Sequence, residues 1–352
     1  MAKRTSRQEY GSAHWSAAES GRPEAPLLDV RDLTVAYGAD DQAVVAVRAV
    51  SFTLQHGAVL GLVGESGCGK TTTALTLLRL LRPPARVVQG QIGFRGADLL
   101  LLSDRDMEQV RGNRISLIFQ NPMTSLNPTY TIGAQIVEAI RAHRRIGGAE
   151  AWARATELMT MVGIPDGPER LRAYPHELSG GQRQRAIIAM AIALEPDLVI
   201  ADEPTTALDV TIQAQILWLL TDLKNRLGMS MIYITHDLNV AASICDHIAV
   251  IYAGEIVEIA AARQILGNPS HPYTRGLVAS LPETSWRERM VHPIKGHPPI
   301  YGRTLTHCPF APRCAEVIDR CWQEHPALLP LGAEHAVRCI RRGEREADDG
   351  VH

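Results

Sequence analysis

A chain of 352 residues, 45% of them hydrophobic, is long enough for more than one domain and for a sizeable core. Its formal net charge of −2 gives no electrostatic reason to expect nucleic acid or an anionic membrane surface as the main partner. No apolar run reaches the roughly 18–20 residues that cross a bilayer, and residues 1–26, with Lys3, Arg4 and Arg7 but no hydrophobic stretch behind them, read as a disordered tail and not as a secretory signal.

In chain order, residues 27–35 and 44–54 alternate as short β-runs. Tyr37 stands between them, placed either to stack on an adenine base or simply to end a strand. The apolar run 58–63 reads as a buried strand and is followed by Gly64, Glu65, Ser66, Gly67, Cys68, Gly69, Lys70, Thr71 and Thr72, a full match to G-x-x-x-x-G-K-[ST]; residues 73–81 then read as a helix. The glycines let the backbone curl so that its N–H groups and the helix N-terminus face an anion. Lys70 would reach the β- and γ-phosphates, and the Thr71 hydroxyl would hold Mg²⁺. Pro83 and Pro84 stop the helix, 87–94 resumes as strand, Ser103 with Asp106 resembles a helix-start cap, and the strand 115–119 ends at Gln120.

From residue 121 to about 180 the texture changes to turns and helical periodicity, which places a helical insertion there. Alternation then returns: a helix from about Gly181 to Leu194, a strand 198–201 ending in Asp202 and Glu203, and a long helix with Ile212, Ile216, Leu219, Leu220, Leu223 and Leu227 on one face. Gly228 closes that helix, and the strand 229–234 ends in Thr235, His236 and Asp237. Strands alternating with helices imply an α/β fold with a largely parallel sheet covered on both sides. Past about residue 266 the chain is rich in Pro, His and Cys and reads as a separate small domain to residue 341, with 342–352 a solvated tail. There is no internal repeat, hence one nucleotide-binding module.

Asp202 and Glu203 stand where a buried strand reaches the surface, the place in such sheets where ligands bind. The expectation is that Asp202 holds Mg²⁺ together with Thr71 and Gln120, and that Glu203 deprotonates the attacking water. Gln120 and His236, both at strand ends, can hydrogen-bond a γ-phosphate or its water. Ser179, Gly180, Gly181 and Gln182 open a helix and form a second anion-binding terminus, or else a well-capped helix start. One nucleotide does not need two such sites, so this stretch is expected to close over ATP bound to a different subunit.

The set formed by residues 64–72, Gln120, 178–184, Asp202–Glu203, 207–209 and His236 resembles the ATP-binding subunits of ABC transporters, over about residues 27–265. The resemblance implies the P-loop nucleotidase fold of that family with its helical subdomain, Tyr37 as the adenine-stacking ring, Asp209 between two active sites, and Gln120 at the start of the region that meets membrane subunits. In the C-terminal part, 268–274 and 308–314 resemble the extension of dipeptide and oligopeptide importer ATPases, and 121–128 fits the same group. Nickel and glutathione importers share parts of these features, and a soluble ABC ATPase acting on nucleic acid or ribosomes is a further alternative. The implied partners are a second ATPase subunit, by family habit a related non-identical one, two membrane-spanning permeases and an extracytoplasmic peptide-binding protein, with no nucleic acid. The implied place is the cytoplasmic face of the cell membrane.

Six cysteines in a reducing compartment serve as thiols or metal ligands more readily than as disulfides. Cys308, Cys314, Cys321 and Cys339 fall in a short, hydrophobe-poor segment that would gain most from a staple. Their spacing lacks the C-x₂₋₄-C knuckles of structural zinc and suits a [4Fe–4S] cluster better, with Zn²⁺ the alternative. Cys68 and Cys245 read as packing residues.

Overall fold

The computed structural model describes residues 25–38, 43–121, 125–206, 208–281, 294–297 and 306–342. Most of the expected N-terminal tail, residues 122–124 of the turn-rich stretch, Ala207, most of 282–305 and the C-terminal tail from 343 lie outside them.

Two sheets form the scaffold. Strands β1 (Leu28–Tyr37), β2 (Val44–Leu54), β4 (Ala85–Phe94) and β5 (Ala97–Asp98) make an antiparallel sheet in the order β2-β1-β4-β5. The larger sheet runs β11-β12-β10-β9-β3-β8-β7-β6. Its centre, β9 (His247–Tyr252), β3 (Val59–Val63), β8 (Ser230–Thr235), β7 (Leu198–Asp202) and β6 (Ile115–Ile118), is parallel. At one edge β10 (Glu255–Ala261), β12 (His335–Val337) and β11 (Leu329–Gly332) add antiparallel. The parallel expectation thus describes the centre; the second sheet and the edge are antiparallel, and the pairs β1–β2, β9–β10 and β11–β12 are neighbours in sequence joined without a crossover helix.

Period-two alternation divides the core into two layers. Val59, Val63, Val199, Ala201, Met231 and Tyr233 face the helical side, while Leu60, Leu62, Leu198, Ile200, Ile232 and Ile234 face the antiparallel sheet. All are buried, so each central strand reads as an unbroken apolar run. Their carboxyl ends fix the places of Gly64, Asp202 and His236.

The helical side includes Ile132–Arg141, Gly148–Met161 and Gly180–Ala191. The first of these starts at Thr131, whose hydroxyl accepts from the Ala134 N–H, and buries Ile132, Ile136 and Ile140, one stripe at i, i+4, i+8. The long helix Val210–Leu227 buries Ile216, Leu219, Leu220 and Leu223 and ends at Gly228 in the left-handed conformation, φ +65°.

Beyond β10 the chain returns to the same sheet, β12 pairing with β10. Helix Pro272–Ala279 is capped by His271, whose Nδ1 accepts from the Tyr273 N–H, and Glu258 of β10, fully buried, accepts from the N–H groups of Ser270 and His271 and pairs with His335 at 2.9 Å. Tyr273, Cys308, Phe310, Ala311 and Cys321 join the apolar cluster on the helical side. A segment with few hydrophobes of its own has borrowed the core of the larger unit.

Candidate ATP-hydrolysing site

The loop after β3 is shaped by close backbone contact. A Cβ on Gly64 would stand 2.2 Å from the Ile251 carbonyl oxygen, and one on Gly69, with φ +106°, would stand 2.6 Å from that of Ala46. Neither position admits a side chain. Helix Lys70–Leu77 begins inside the motif. Lys70 is buried, its Nζ donating to the carbonyls of Gly64 at 2.8 Å and Glu65 at 3.1 Å. These neutral acceptors leave its charge for an anion at the mouth of the loop. Cys68 is buried beneath it, and burial raises its thiol pKa against the opposing effect of Lys70. The Tyr37 hydroxyl lies 3.3 Å from Thr72 Oγ1, which brings the ring to the loop's edge.

The end of β7 meets this loop. Asp202 is buried with the Thr71 hydroxyl in its surroundings, and its Oδ1 has no hydrogen-bond partner. Burial first, then the neighbouring Glu203, raises its pKa; Thr71 and Lys70 oppose them. An orphaned buried carboxylate oxygen beside a helix-start hydroxyl is a donor set that fits a hard divalent cation. Glu203 follows in a left-handed conformation, φ +45°, which turns its carboxylate toward three donors. Thr206 Oγ1 and Gln120 Nε2 donate to Oε2, each at 2.9 Å, and His236 Nδ1 lies 3.2 Å from Oε1. Burial pushes the Glu203 pKa up, but the Thr206 and His236 hydrogen bonds and the charges of His236 and Lys70 outweigh it and hold the carboxyl below its ordinary value. An ionised, hydrogen-bonded carboxylate, recessed at 11% exposure behind a His236 side chain 60% exposed, is poised to accept a proton at the mouth of the site.

The structure thus brings Lys70, Thr71, Asp202, Glu203, Gln120 and His236 into one neighbourhood. Thr206 belongs to it and was not singled out in the sequence; its position three residues after a carboxylate was the available signal. The other two expected groups lie on neighbouring elements. Ser179 caps helix Gly180–Ala191 in a reciprocal box with Gln182: its hydroxyl accepts from the Gln182 N–H and its own N–H donates to Gln182 Oε1. Gly180 and Gly181 pack on Leu208 and Ile212, and Asp209 is the residue before helix Val210–Leu227, its carbonyl accepting from the Gln213 N–H.

Cys308, Cys314, Cys321 and Cys339 share one region: Cys308 feels the charges of Cys321 and Cys339, and Cys314 those of Cys339 and Cys321. Burial pushes the Cys308 thiol up to about 12 and raises Cys314 and Cys339 as well. Among the described residues, however, no three His, Cys, Asp or Glu side chains form a group that could hold a metal ion. The expected staple is therefore not formed as a gathered ligand set among the described residues. Cys68 and Cys245 are both buried, as packing residues are.

A glycine-rich loop with a buried lysine after β3, and a carboxylate pair at the end of β7, separated from β3 by β8 in the parallel sheet, define a P-loop nucleoside triphosphatase. Residues 47–206 match the ABC transporter family and residues 257–321 the oligopeptide/dipeptide transporter C-terminal region. The chain is 49% identical over 320 residues, 90% of its length and 96% of the relative's, to a probable peptide ABC transporter ATP-binding protein of Sinorhizobium fredii. It is 45% identical over 320 residues, 91% of its length and 96% of the relative's, to the dipeptide transport ATP-binding protein DppD of Bacillus subtilis. A dimeric post-hydrolysis state of the ATP-binding cassette MJ0796 bound to ADP and Pi is similar in fold, with TM-score 0.60 and 27% identity over 67% of this chain and 99% of that one. The chain belongs to the ATP-binding proteins of peptide ABC transporters. Among the described residues no helix is long and apolar enough to cross a membrane.

Proposed function

We propose that this chain binds and hydrolyses ATP to power the import of dipeptides or oligopeptides through partner permeases. The observation that carries this is the joining, in one chain, of the Lys70–Asp202–Glu203 constellation to the C-terminal region matched by peptide-transporter subunits. Residues 64–72 receive the phosphates, with Lys70 swinging from its carbonyl acceptors to the β- and γ-phosphates, and Tyr37 stacks on the adenine. Thr71 and Asp202, with Gln120, would hold Mg²⁺, which when bound would supply neutralisation of charge on the phosphates. Glu203 takes the proton of the attacking water as the water oxygen bonds to the γ-phosphorus and the bond to ADP breaks. His236 and Gln120 orient that water through their contacts with the same carboxylate.

Ser179, Gly180, Gly181 and Gln182 face the γ-phosphate of a partner module, with Asp209 between the two sites. Support comes from the exposure of Ser179 at the start of this helix and from the dimeric, nucleotide-bound state of the similar cassette. The partner is a related, non-identical ATPase; two permeases and an extracytoplasmic peptide-binding protein complete the assembly, which holds this subunit at the cytoplasmic face of the membrane. A gentle detergent pull-down of the tagged chain tests this. Two multi-span permeases and a second ATPase are expected; ribosomal or nucleic-acid partners without a permease would overturn the transport reading.

A finer proposal concerns the extension: Cys308, Cys314, Cys321 and Cys339 hold a [4Fe–4S] cluster, with Zn²⁺ the alternative. Support comes from the sequence alone, which places four of the six cysteines in one short segment; among the described residues their thiols are not gathered as a ligand set. Iron and zinc analysis of anaerobically purified protein, with Cys314→Ser as control, decides between them. Metal-free protein with a folded extension would contradict both.

A further inference from the structure

We propose that Arg313 is a positioning residue for the phosphate loop, through which the cysteine-bearing extension sets nucleotide affinity; this rests on the reading of residues 64–72 as the ATP site. Arg313 lies 248 residues from Glu65, yet its Nη1 donates to Glu65 Oε2 at 2.8 Å and its Nη2 to Oε1 at 2.9 Å. A two-pronged fork on both oxygens fixes the carboxylate in direction as well as distance. The guanidinium itself cannot turn away. Only 4% of its side chain is exposed, its Nε donates to the Lys295 carbonyl at 3.0 Å, and its plane lies over the Tyr252 ring, whose hydroxyl is 3.3 Å from Nη1.

The extension holds the backbone of the same residue. The Glu65 N–H donates to the Tyr273 hydroxyl at 3.1 Å, and the Glu65 carbonyl is one of the two acceptors of Lys70 Nζ. Movement of Glu65 is thereby transmitted to the lysine that meets the phosphates. Tyr252, Tyr273 and Phe310 pack ring against ring around this junction.

Arg313 is in turn placed by the cysteine segment. It ends the short turn Ala311–Arg313, in which the Ala311 N–H donates to the Cys308 carbonyl and the Cys314 N–H to that of Ala311, while the Cys308 N–H donates to the Cys321 carbonyl. A change at these cysteines displaces the fork.

The electrostatic consequence has a definite sign. Paired, Glu65 adds no net charge beside the polyphosphate; unpaired, it is a like charge next to an anionic ligand and opposes it. Removing Arg313 therefore weakens ATP binding, and removing the Glu65 charge as well restores part of what was lost. A purely structural role for the pair has no such rescue.

The test is titration of the full-length chain with fluorescent N-methylanthraniloyl-ATP and Mg²⁺, together with kcat and KM for ATP hydrolysis. Arg313→Gln is expected to raise Kd and KM about tenfold with kcat held within about twofold, and the double variant R313Q/E65Q to bind more tightly than R313Q. Wild-type affinity in R313Q, or a double variant no better than R313Q, overturns the proposal. Should R313Q not purify, Arg313→Met removes the same charge with an apolar side chain suited to the buried site, and an unchanged Kd there is equally decisive against it. Lys70→Ala is the control: wild-type binding in that variant would overturn the reading of the loop itself, whereas its loss beside an unaffected R313Q would overturn the clamp alone.

Discussion

Glu203→Gln isolates proton acceptance from everything else that Glu203 does. Gln120 and Thr206 both donate to Oε2, so an amide oxygen placed there keeps both bonds, and the amide nitrogen then faces His236 Nδ1 at the Oε1 position. His236 has only to shift its proton to the other ring nitrogen to accept that bond. Shape and contacts persist; the base does not. General-base catalysis contributes about 10²–10⁴-fold, or roughly 3–5 kcal/mol of barrier at 1.36 kcal/mol per tenfold. Phosphate release under single-turnover conditions should fall by that factor while ATP affinity changes by less than about threefold, and the variant should accumulate as an ATP-bound dimer on gel filtration. Turnover within about threefold of wild type would remove Glu203 from the proton-transfer step.

Three further outcomes follow from the same geometry. Glu203 is an effective base only when ionised, so activity is present above its folded pKa and lost as pH falls through it; its depressed value places that loss below the ordinary glutamate range. Thr206→Val leaves burial less opposed and should move the acid limb of the kcat profile to higher pH, an unmoved limb counting against this account. Asp202→Asn should raise the Mg²⁺ concentration for half-maximal hydrolysis about tenfold or more, read from a Mg²⁺ titration, and an unaltered midpoint would separate Asp202 from the cation. Ile200→Ala, at a fully buried position of β7, should cost about 2–5 kcal/mol in urea unfolding, and a loss below about 1 kcal/mol would show that the layer between the sheets refills the cavity.

The site was legible in the sequence where chemistry is packed into short, local patterns. The phosphate loop, the carboxylate pair at the end of an apolar run, and the strand-end Gln120 and His236 each announce themselves within a few residues, and the parallel strands bring them together. The capping signals read equally well: Ser103 accepts from the Asp106 N–H and Gly228 closes its helix, both local hydrogen-bonding matters. What escaped was non-local. Alternating β-runs before residue 95 do not say whether they join the main sheet or form another, since pairing is decided by packing partners far away in sequence. The Arg313–Glu65 fork spans 248 residues, and neither residue type carries a signal of its own. The four cysteines carried a compositional signal that said nothing of how their thiols are placed.

The most direct measurement is ATP-dependent uptake of a labelled peptide into inverted or reconstituted vesicles carrying the complete transporter, with wild-type chain against Glu203→Gln. Uptake that requires ATP and disappears in the variant is the predicted result. ATP hydrolysis by the wild-type complex with no peptide accumulated, or uptake undiminished in the variant, would contradict the claim that this chain drives peptide import by hydrolysing ATP.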